Sequence, residues 1–154
     1  WSPCESAASI RIEAYDVAHL SGTNSVGVMT VVLGGEMQKS EYRKFNMKNQ
    51  KKGSDTHALA EIIDRRLAHS EWQLPRLIVV DGGKAQINTI LHILNKYEIQ
   101  IPVVGVVKDE HHRPKNILGA KNLIQAHEKE ILLVNSEAHR FAIAFHRKKR
   151  TFQG

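Results

Sequence analysis

The sequence predicts a mixed α/β domain in which three meandering strands precede alternating helices and strands and a closing helix. Three observations support this prediction. The first part of the chain carries β-branched runs separated by hairpin signals, and the middle part alternates short apolar runs with helical periodicity. The third observation is that 42% of the 154 residues are hydrophobic, which is enough for one core and argues against disorder.

The first three strands are predicted from alternation and turn residues. Apolar and polar residues alternate over 10–16, and this period of two puts Asp16 on the same face as the apolar side chains. A β-branched run over 26–33 predicts a second strand, and Gly34-Gly35 is a hairpin signal that leads into a third strand over 39–46. These segments therefore predict an antiparallel meander.

The middle of the chain alternates between the two periodicities. Apolar residues recur at helical spacing from 58 to 67, with Ser54 or Asp55 as the predicted N-cap. A continuous apolar run over 77–80 predicts a strand buried on both faces, and after Asp81-Gly82-Gly83 a helix follows that carries Ile87, Ile90, Leu91 and Leu94. With a further buried strand over 101–107, the β-α-β-α-β order implies parallel pairing with helices on the faces of the sheet.

The last third is predicted as a polar loop, a small hairpin and a helix. The loop covers 108–116, and the hairpin pairs 117–118 with 122–124 across Gly119-Ala120. The helix is expected to begin between Lys129 and Glu137 and to end in a basic run.

The predicted organisation is one domain with two short ends. Residues 1–9 form a linker or arm, 10–150 form the domain, and 151–154 form a tail. Because the chain begins with Trp1 rather than Met, we expect it to be a piece of a longer protein.

Amino-acid composition indicates which class of partner and which cellular compartment to expect. There are 22 Lys and Arg residues against 16 Asp and Glu, a net charge of +6, so polyanions are favoured as partners. A single cysteine allows no intramolecular disulfide and argues against a Cys-based zinc site, which favours a reducing, cytoplasmic setting. No apolar run approaches the roughly 20 residues of a membrane span, so we expect no membrane association.

Asp81 is the strongest local signal for chemistry. It ends a buried strand and is followed by Gly82-Gly83 and a helix, and ligands in open α/β sheets bind outside the carboxyl ends of parallel strands. Asp81 is then either a metal ligand or the cap of that helix. Lys84 either meets a phosphate at the helix start or is a solvated lysine; because Ala85 follows it, a nucleotide-hydrolysing P-loop is excluded.

Asp16 and His139 are the other residues of interest. If the strand ending at Asp16 neighbours the strand ending at Asp81, the two carboxylates converge and repel each other unless they share a cation. Taken alone, Asp16 is more often a turn residue than a metal ligand, and a structural histidine at the border of the core is the default interpretation of His139. The basic clusters 111–113 and 146–150 are interpreted as solvated or phosphate-contacting surfaces.

Three separated segments stand out as a set: IEAYDVAH at 12–19, IVVDGGKAQ at 78–86 and EAHRFA at 137–142. Together they resemble the C-terminal endonuclease domain of the UvrC family of bacterial nucleotide excision repair. Shorter matches at 39–46, 102–109 and 145–148 keep the same order, so the resemblance covers about residues 10–150.

The resemblance implies a ribonuclease H-like fold and a catalytic set of Asp16, Asp81 and His139, which hold Mg²⁺ or Mn²⁺ and cut one DNA strand on the 5′ side of a lesion. His139 is implied as either a metal ligand or a proton acceptor. The implied partners are damaged double-stranded DNA and a UvrB-like loading subunit, the latter through parts outside this chain. The basic residues expected at the phosphates are Lys84, Arg113, Arg140 and Arg147.

This chain departs from the family pattern at two places. Ala18 replaces the usual serine between the first aspartate and the histidine, and Asn135-Ser136 replaces the usual Arg-Asp before the Glu-x-His. Both departures spare the three implied catalytic residues and alter their surroundings. Two alternatives therefore stay open beside the nuclease: a non-catalytic ribonuclease H-like module that binds DNA or a partner, and an α/β protein that binds a phosphorylated small molecule at Gly82-Gly83-Lys84.

Overall fold

A computed structural model describes residues 10–19, 24–47 and 55–153, with side chains of the last range described from 56 to 145. The predictions for residues 1–9, for the N-cap Ser54 and for Gly154 lie outside these ranges. The strands are Arg11–His19 (β1), Ser25–Leu33 (β2), Glu36–Met37 (β3), Arg43–Met47 (β4), Leu77–Asp81 (β5), Val103–Lys108 (β6) and Pro114–Leu118 (β7). The helices are Asp55–Leu67 (α1), Lys84–Lys96 (α2) and Lys121–Gln153 (α3), with a short 3-10 helix at Lys39–Glu41.

Within the described ranges the strands form one mixed sheet in the order β3-β2-β1-β5-β6-β7, with β4 also paired to β2. β1 and β2 are antiparallel, whereas β1, β5 and β6 run parallel. This arrangement confirms the predicted class, a meander followed by a parallel part of the sheet flanked by helices.

The helices cover both faces of the sheet. α1 and α2 pack on one face, where their apolar residues and those of the strands form one buried cluster. α3 packs on the other face and forms a second cluster with the alternate residues of β1, β2, β5 and β6. Because side chains alternate along a strand, Ile12, Ala14 and Asp16 face α3 while Glu13 and Tyr15 face α1.

Two predicted elements differ from the structure in detail. The third strand was predicted over 39–46, but a 3-10 helix occupies Lys39–Glu41 and only Arg43–Met47 is extended. The predicted hairpin of 117–118 with 122–124 is wrong, because β7 pairs antiparallel with β6 and α3 begins at Lys121.

The predicted start of the last helix, between Lys129 and Glu137, is also wrong. Helical structure begins at Lys121 and is interrupted at His127, whose φ of −130° and ψ of 23° are not helical. Leu123 and Ile124 pack on the same core as Ile131. Residues 125–130 between them are polar apart from Ala126, so no continuous apolar stripe marks the first turns in the sequence.

A buried charged cluster lies beneath β1, on the face opposite Asp16. Glu13 is fully buried and accepts hydrogen bonds from Nε and Nη2 of Arg66 at 2.9 and 2.8 Å. It also accepts from Arg11 Nε at 2.8 Å and from the hydroxyl of Tyr15. Burial and the Glu13 carboxylate raise the pKa of Tyr15, so Tyr15 stays a neutral donor. The cluster ties α1 to the centre of the sheet.

We expect removal of one partner of this cluster to destabilise the fold strongly. Arg66→Met or Glu13→Gln should each lower the free energy of unfolding by about 3–5 kcal/mol, because a buried charge is left without its partner. Urea denaturation of both variants and of the double variant measures this. The double variant should lose less than the sum of the two singles.

Arg65→Met is the matched control. Arg65 is the neighbouring arginine, 46% exposed and 3.6 Å from Glu61, so its loss should change stability by less than about 1 kcal/mol. Equal effects at Arg65 and Arg66 would contradict the role of the buried cluster.

Candidate functional site

A cavity of about 310 Å³ opens at the carboxyl ends of β1, β5 and β6. Its wall includes apolar groups from Val17, Leu59 and Val80. Its polar lining includes Asp16, Asp81, Gln86, Lys108, His112 and His139. The three residues predicted as a catalytic set therefore line one cavity.

Strand pairing brings Asp16 and Asp81 to the same place. β1 and β5 are parallel neighbours, and their last registered pair is Tyr15 with Val80, so each aspartate is the next residue on its strand. Both lie on the face that packs against α3, because they alternate with residues of the other face. The convergence inferred from sequence thus depends on the pairing of β1 with β5.

Asp16 is held in a mostly buried position, with 15% of its side chain exposed. Its Oδ1 accepts the backbone N–H of Val17 at 2.8 Å, and its Oδ2 lies 3.4 Å from Nδ1 of His139. Burial, and then the charge of Asp81, raise the pKa of Asp16; the Val17 N–H, His139 and Lys108 offset part of this rise. The neighbouring positive charges and the hydrogen bond therefore do not fully offset the cost of ionising Asp16.

Among the described side chains, two contact Asp81, both through its Oδ1. Lys108 Nζ lies 2.8 Å from this atom, and Asn135 Nδ2 lies 3.4 Å from it. Lys108 ends β6 on the same face, two residues beyond Val106, which pairs with Asp81 in the parallel register. Asn135 lies on α3 one turn before His139, and its Oδ1 is buried without a hydrogen-bond partner.

The turn after Asp81 depends on glycine. Gly82 has a φ of +146°, a conformation that other residues rarely adopt, and a Cβ on Gly105 of β6 would lie 2.4 Å from the carbonyl oxygen of Gly82. The N–H of Gly83 donates to Oε1 of Gln86 at 3.0 Å at the start of α2. Gly83 is the N-cap residue, so the alternative that Asp81 caps this helix is wrong.

Sequence reasoning missed Lys108 and Asn135 as neighbours of Asp81. Lys108 falls at the start of a run that reads as a polar loop, and nothing local indicates that it ends a buried strand facing α3. Asn135 stands out in the sequence only as a departure from the family pattern. The usable signal for Lys108 is its position two residues after a buried apolar residue of a parallel strand.

The basic residues predicted at phosphates lie in different environments. Lys84, at the start of α2, and Arg113, in the β6–β7 connection, are exposed. Arg140 is bound to Glu137 through Nε at 2.7 Å and Nη2 at 3.0 Å, and Glu137 also accepts the Tyr42 hydroxyl at 2.8 Å. The Arg140 guanidinium is thus partly neutralised. The side chain of Arg147 lies outside the described side chains.

The donor chemistry of the cavity fits a hard divalent cation. Asp16 and Asp81 offer carboxylate oxygens, and Mg²⁺ is commonly bound by one or two carboxylates together with water and substrate phosphates. Burial and then the charge of Asp81 raise the pKa of Asp16, and a cation shared by the two carboxylates would offset both effects. Among the residues described, however, no three His, Cys, Asp or Glu side chains form a metal-binding group, so the fit rests on two ligands.

A mixed sheet of this order, with two carboxylates at the ends of its central parallel strands, defines the ribonuclease H-like class of nuclease folds. The catalytic domain of human Endonuclease V has this fold: the TM-score is 0.51 at 15% identity, over 67% of this chain and 46% of that chain. Endonuclease V of Ciona intestinalis, solved with an inosine-containing 24mer DNA, gives a TM-score of 0.50 at 14% identity, over 78% and 54%. A family model described as the UvrC RNase H endonuclease domain matches residues 5–143, so the chain belongs to that family.

Curated relatives agree with this assignment. UvrABC system protein C of Clostridium beijerinckii is 36% identical over 92% of this chain, and that of Caldanaerobacter subterraneus is 35% identical over 92%. The chain spans 26% and 27% of the length of these two relatives. Across the ranges covered by the structure, no helix is both long and apolar enough to span a bilayer.

We expect Asp16→Asn to stabilise the metal-free domain. The folded-state pKa of Asp16 is raised, so ionised Asp16 opposes folding above that pKa, and this cost disappears as pH falls below the unfolded pKa. The variant should gain a few °C in Tm at neutral pH, since about 1 kcal/mol shifts Tm by roughly 2–4 °C in a chain of this size. The gain should vanish toward acidic pH in thermal melts followed by circular dichroism.

Asp64→Asn is a control of opposite sign. The Tyr97 hydroxyl and Lys96 lower the pKa of Asp64, so its ionised form supports folding at neutral pH. This variant should lower Tm at neutral pH. A lower Tm for Asp16→Asn as well would contradict the proposed repulsion.

Proposed function

We propose that this domain is a Mg²⁺- or Mn²⁺-dependent DNA endonuclease that makes the 5′ incision in nucleotide excision repair. The observation that carries the proposal is the pair of carboxylates, Asp16 and Asp81, which meet at the ends of neighbouring parallel strands inside one cavity. Membership of the UvrC endonuclease domain family supports the substrate class. We further propose that the domain works in the cytoplasm.

Asp16 and Asp81 are the residues proposed to hold the ion. A bound divalent cation supplies positive charge that orients a water molecule and stabilises the charge that develops on the scissile phosphate. The buried position of Asp16 fixes its carboxylate, and the Val17 N–H leaves its Oδ2 directed toward His139. Asp81 is fixed through Oδ1 by Lys108 and Asn135, and neither contact uses its Oδ2.

His139 is proposed as the proton acceptor for the attacking water. Its Nδ1 lies 3.4 Å from Asp16 Oδ2, and 48% of the side chain is exposed, so the ring is oriented on one side and open to solvent on the other. An imidazole is suited to this role near neutral pH. A role as third metal ligand, which the family resemblance also allows, is the alternative that the experiment below distinguishes.

The DNA backbone is proposed to contact exposed cations around the cavity. Lys84 lies beside the turn after Asp81, and Arg113 lies beside His112, a residue of the cavity wall. Arg140 and Arg147 are further proposed contacts on α3. Damaged double-stranded DNA is the proposed substrate, and a UvrB-like subunit is the proposed loading partner, through segments outside this chain.

One observation favours a non-catalytic DNA-binding module as a second candidate. Lys108 already neutralises Asp81 at 2.8 Å, as it would if no cation were ever bound there. Such a module would bind DNA in a salt-sensitive way without metal-dependent turnover.

Mn²⁺ titration calorimetry distinguishes the two candidates. The wild type should bind Mn²⁺, and Asp16→Asn and Asp81→Asn should each weaken this binding at least about tenfold, because each removes an anionic ligand. Asp64→Asn, which removes an exposed carboxylate on α1, should leave binding unchanged. If the wild type fails to bind Mn²⁺ even with DNA present, the nuclease proposal is wrong and the non-catalytic module is favoured.

Nicking of a damaged duplex tests the chemistry. Asp16→Asn and Asp81→Asn should reduce nicking at least about a hundredfold, and His139→Gln should do so while keeping Mn²⁺ affinity, since general-base catalysis contributes about 10²–10⁴-fold. Loss of Mn²⁺ binding in His139→Gln would instead make this histidine a ligand. Full nicking by either aspartate variant would contradict the site.

A further inference from the structure

Lys108 makes a close ion pair with a proposed metal ligand, Asp81. Its Nζ lies 2.8 Å from Asp81 Oδ1, and only 19% of the Lys108 side chain is exposed. It lines the same cavity as Asp16 and His139, and its charge also acts on Asp16. Asp81 is its one ion-pair partner among the residues that the structure describes.

An ammonium at this position competes with any divalent cation for Asp81. Two positive charges on one carboxylate repel each other strongly in a partly buried site. Asn135 contacts the same oxygen of Asp81 through a neutral amide at 3.4 Å and adds no such repulsion. Asp81 can therefore keep its orientation through Asn135 when Lys108 turns away.

A second anion in the cavity would draw Lys108 from Asp81. Lysine carries a point charge on a flexible stem and binds phosphate in many proteins. The Lys108 side chain reaches the cavity from the end of β6, beside the loop that contains His112. A phosphate of the DNA backbone is the anion that the proposed function brings into this cavity.

We propose that Lys108 exchanges the Asp81 carboxylate for a DNA phosphate and so couples DNA binding to metal binding. This inference rests on the proposed function. Without DNA, Lys108 neutralises Asp81 and weakens its affinity for a divalent ion. With DNA, Lys108 contacts the phosphate and Asp81 is released. Because binding linkage is reciprocal, Mn²⁺ must raise the affinity for DNA by the same factor by which DNA raises the affinity for Mn²⁺.

Mn²⁺ titration of Lys108→Met, with and without a short duplex, tests this exchange. Wild type should bind Mn²⁺ weakly alone and about tenfold or more tightly with DNA, a factor typical of linked sites. Lys108→Met should bind Mn²⁺ about tenfold more tightly than wild type without DNA, and DNA should add little. Gel electrophoresis after each titration verifies that the duplex is intact. Lys108→Gln replaces the methionine variant if circular dichroism shows that the latter is unfolded.

Two variants act as controls. Lys96→Met removes the ion pair between Lys96, at the C-terminal end of α2, and Asp64 of α1, which are 3.4 Å apart, and should behave as wild type toward Mn²⁺. Lys108→Arg keeps the charge and should retain weak DNA-free Mn²⁺ binding. In salt titrations of DNA binding with Mn²⁺ present, Lys108→Met should lower the slope of log affinity against log salt by about 0.9, the loss of one phosphate contact.

The outcomes separate this inference from the function on which it rests. If wild type and Lys108→Met bind Mn²⁺ equally, or if DNA has no effect on wild-type affinity, the exchange is wrong and Lys108 has a structural role only. In that case the nuclease proposal stands, because Mn²⁺ still binds and still depends on Asp16. If neither protein binds Mn²⁺ with or without DNA, the nuclease proposal itself fails.

Discussion

The parallel pairing of β1 with β5 places the carboxylates of Asp16 and Asp81 close together, and the other polar groups of the cavity are arranged around this pair. Asp16 and Asp81 each follow the last registered pair of these strands and lie on one face. Burial, together with the charge of Asp81, raises the pKa of Asp16, and Lys108 lies close to Asp81 and neutralises it. Holding the carboxylates of Asp16 and Asp81 in fixed positions lowers the stability of the domain, a trade-off that is common at functional sites.

The helix on this face positions the remaining polar groups. Asn135 and His139 are one turn apart on α3, so one reaches Asp81 and the other reaches Asp16. Glu137, between them, accepts the Tyr42 hydroxyl and thereby fixes α3 against the edge of the sheet near β4. Placement of the imidazole thus depends on contacts made well outside the cavity.

The sequence was sufficient to predict the class of fold from short-range patterns, whereas Asp16, Asp81 and His139 were grouped as one set by the family resemblance. Alternation located β1, a continuous apolar run located β5, and the turn after Asp81 marked the carboxyl edge of the sheet. The start of α3 was not evident from periodicity, since residues 125–130 are polar apart from Ala126 and separate Leu123 and Ile124 from the apolar residues that follow. Lys108 and Asn135 were missed as neighbours of Asp81 because their proximity arises from pairing and packing between distant segments. The cluster around Glu13 was missed for the same reason, as Arg66 is 53 residues away along the chain.

β1 carries the proposed metal ligand Asp16 on one face and a buried charged network on the other, and this alternation affects how genetic data on the strand are to be interpreted. A substitution at Glu13 or Tyr15 disrupts the link to α1, whereas one at Asp16 leaves that link intact. On the proposed function, a saturation mutagenesis screen scored by cell survival after DNA damage would show low tolerance of substitutions at Glu13, Tyr15 and Asp16 alike. Only a parallel measurement of protein abundance would separate them, because abundance would be low for variants of Glu13 and Tyr15 and normal for variants of Asp16.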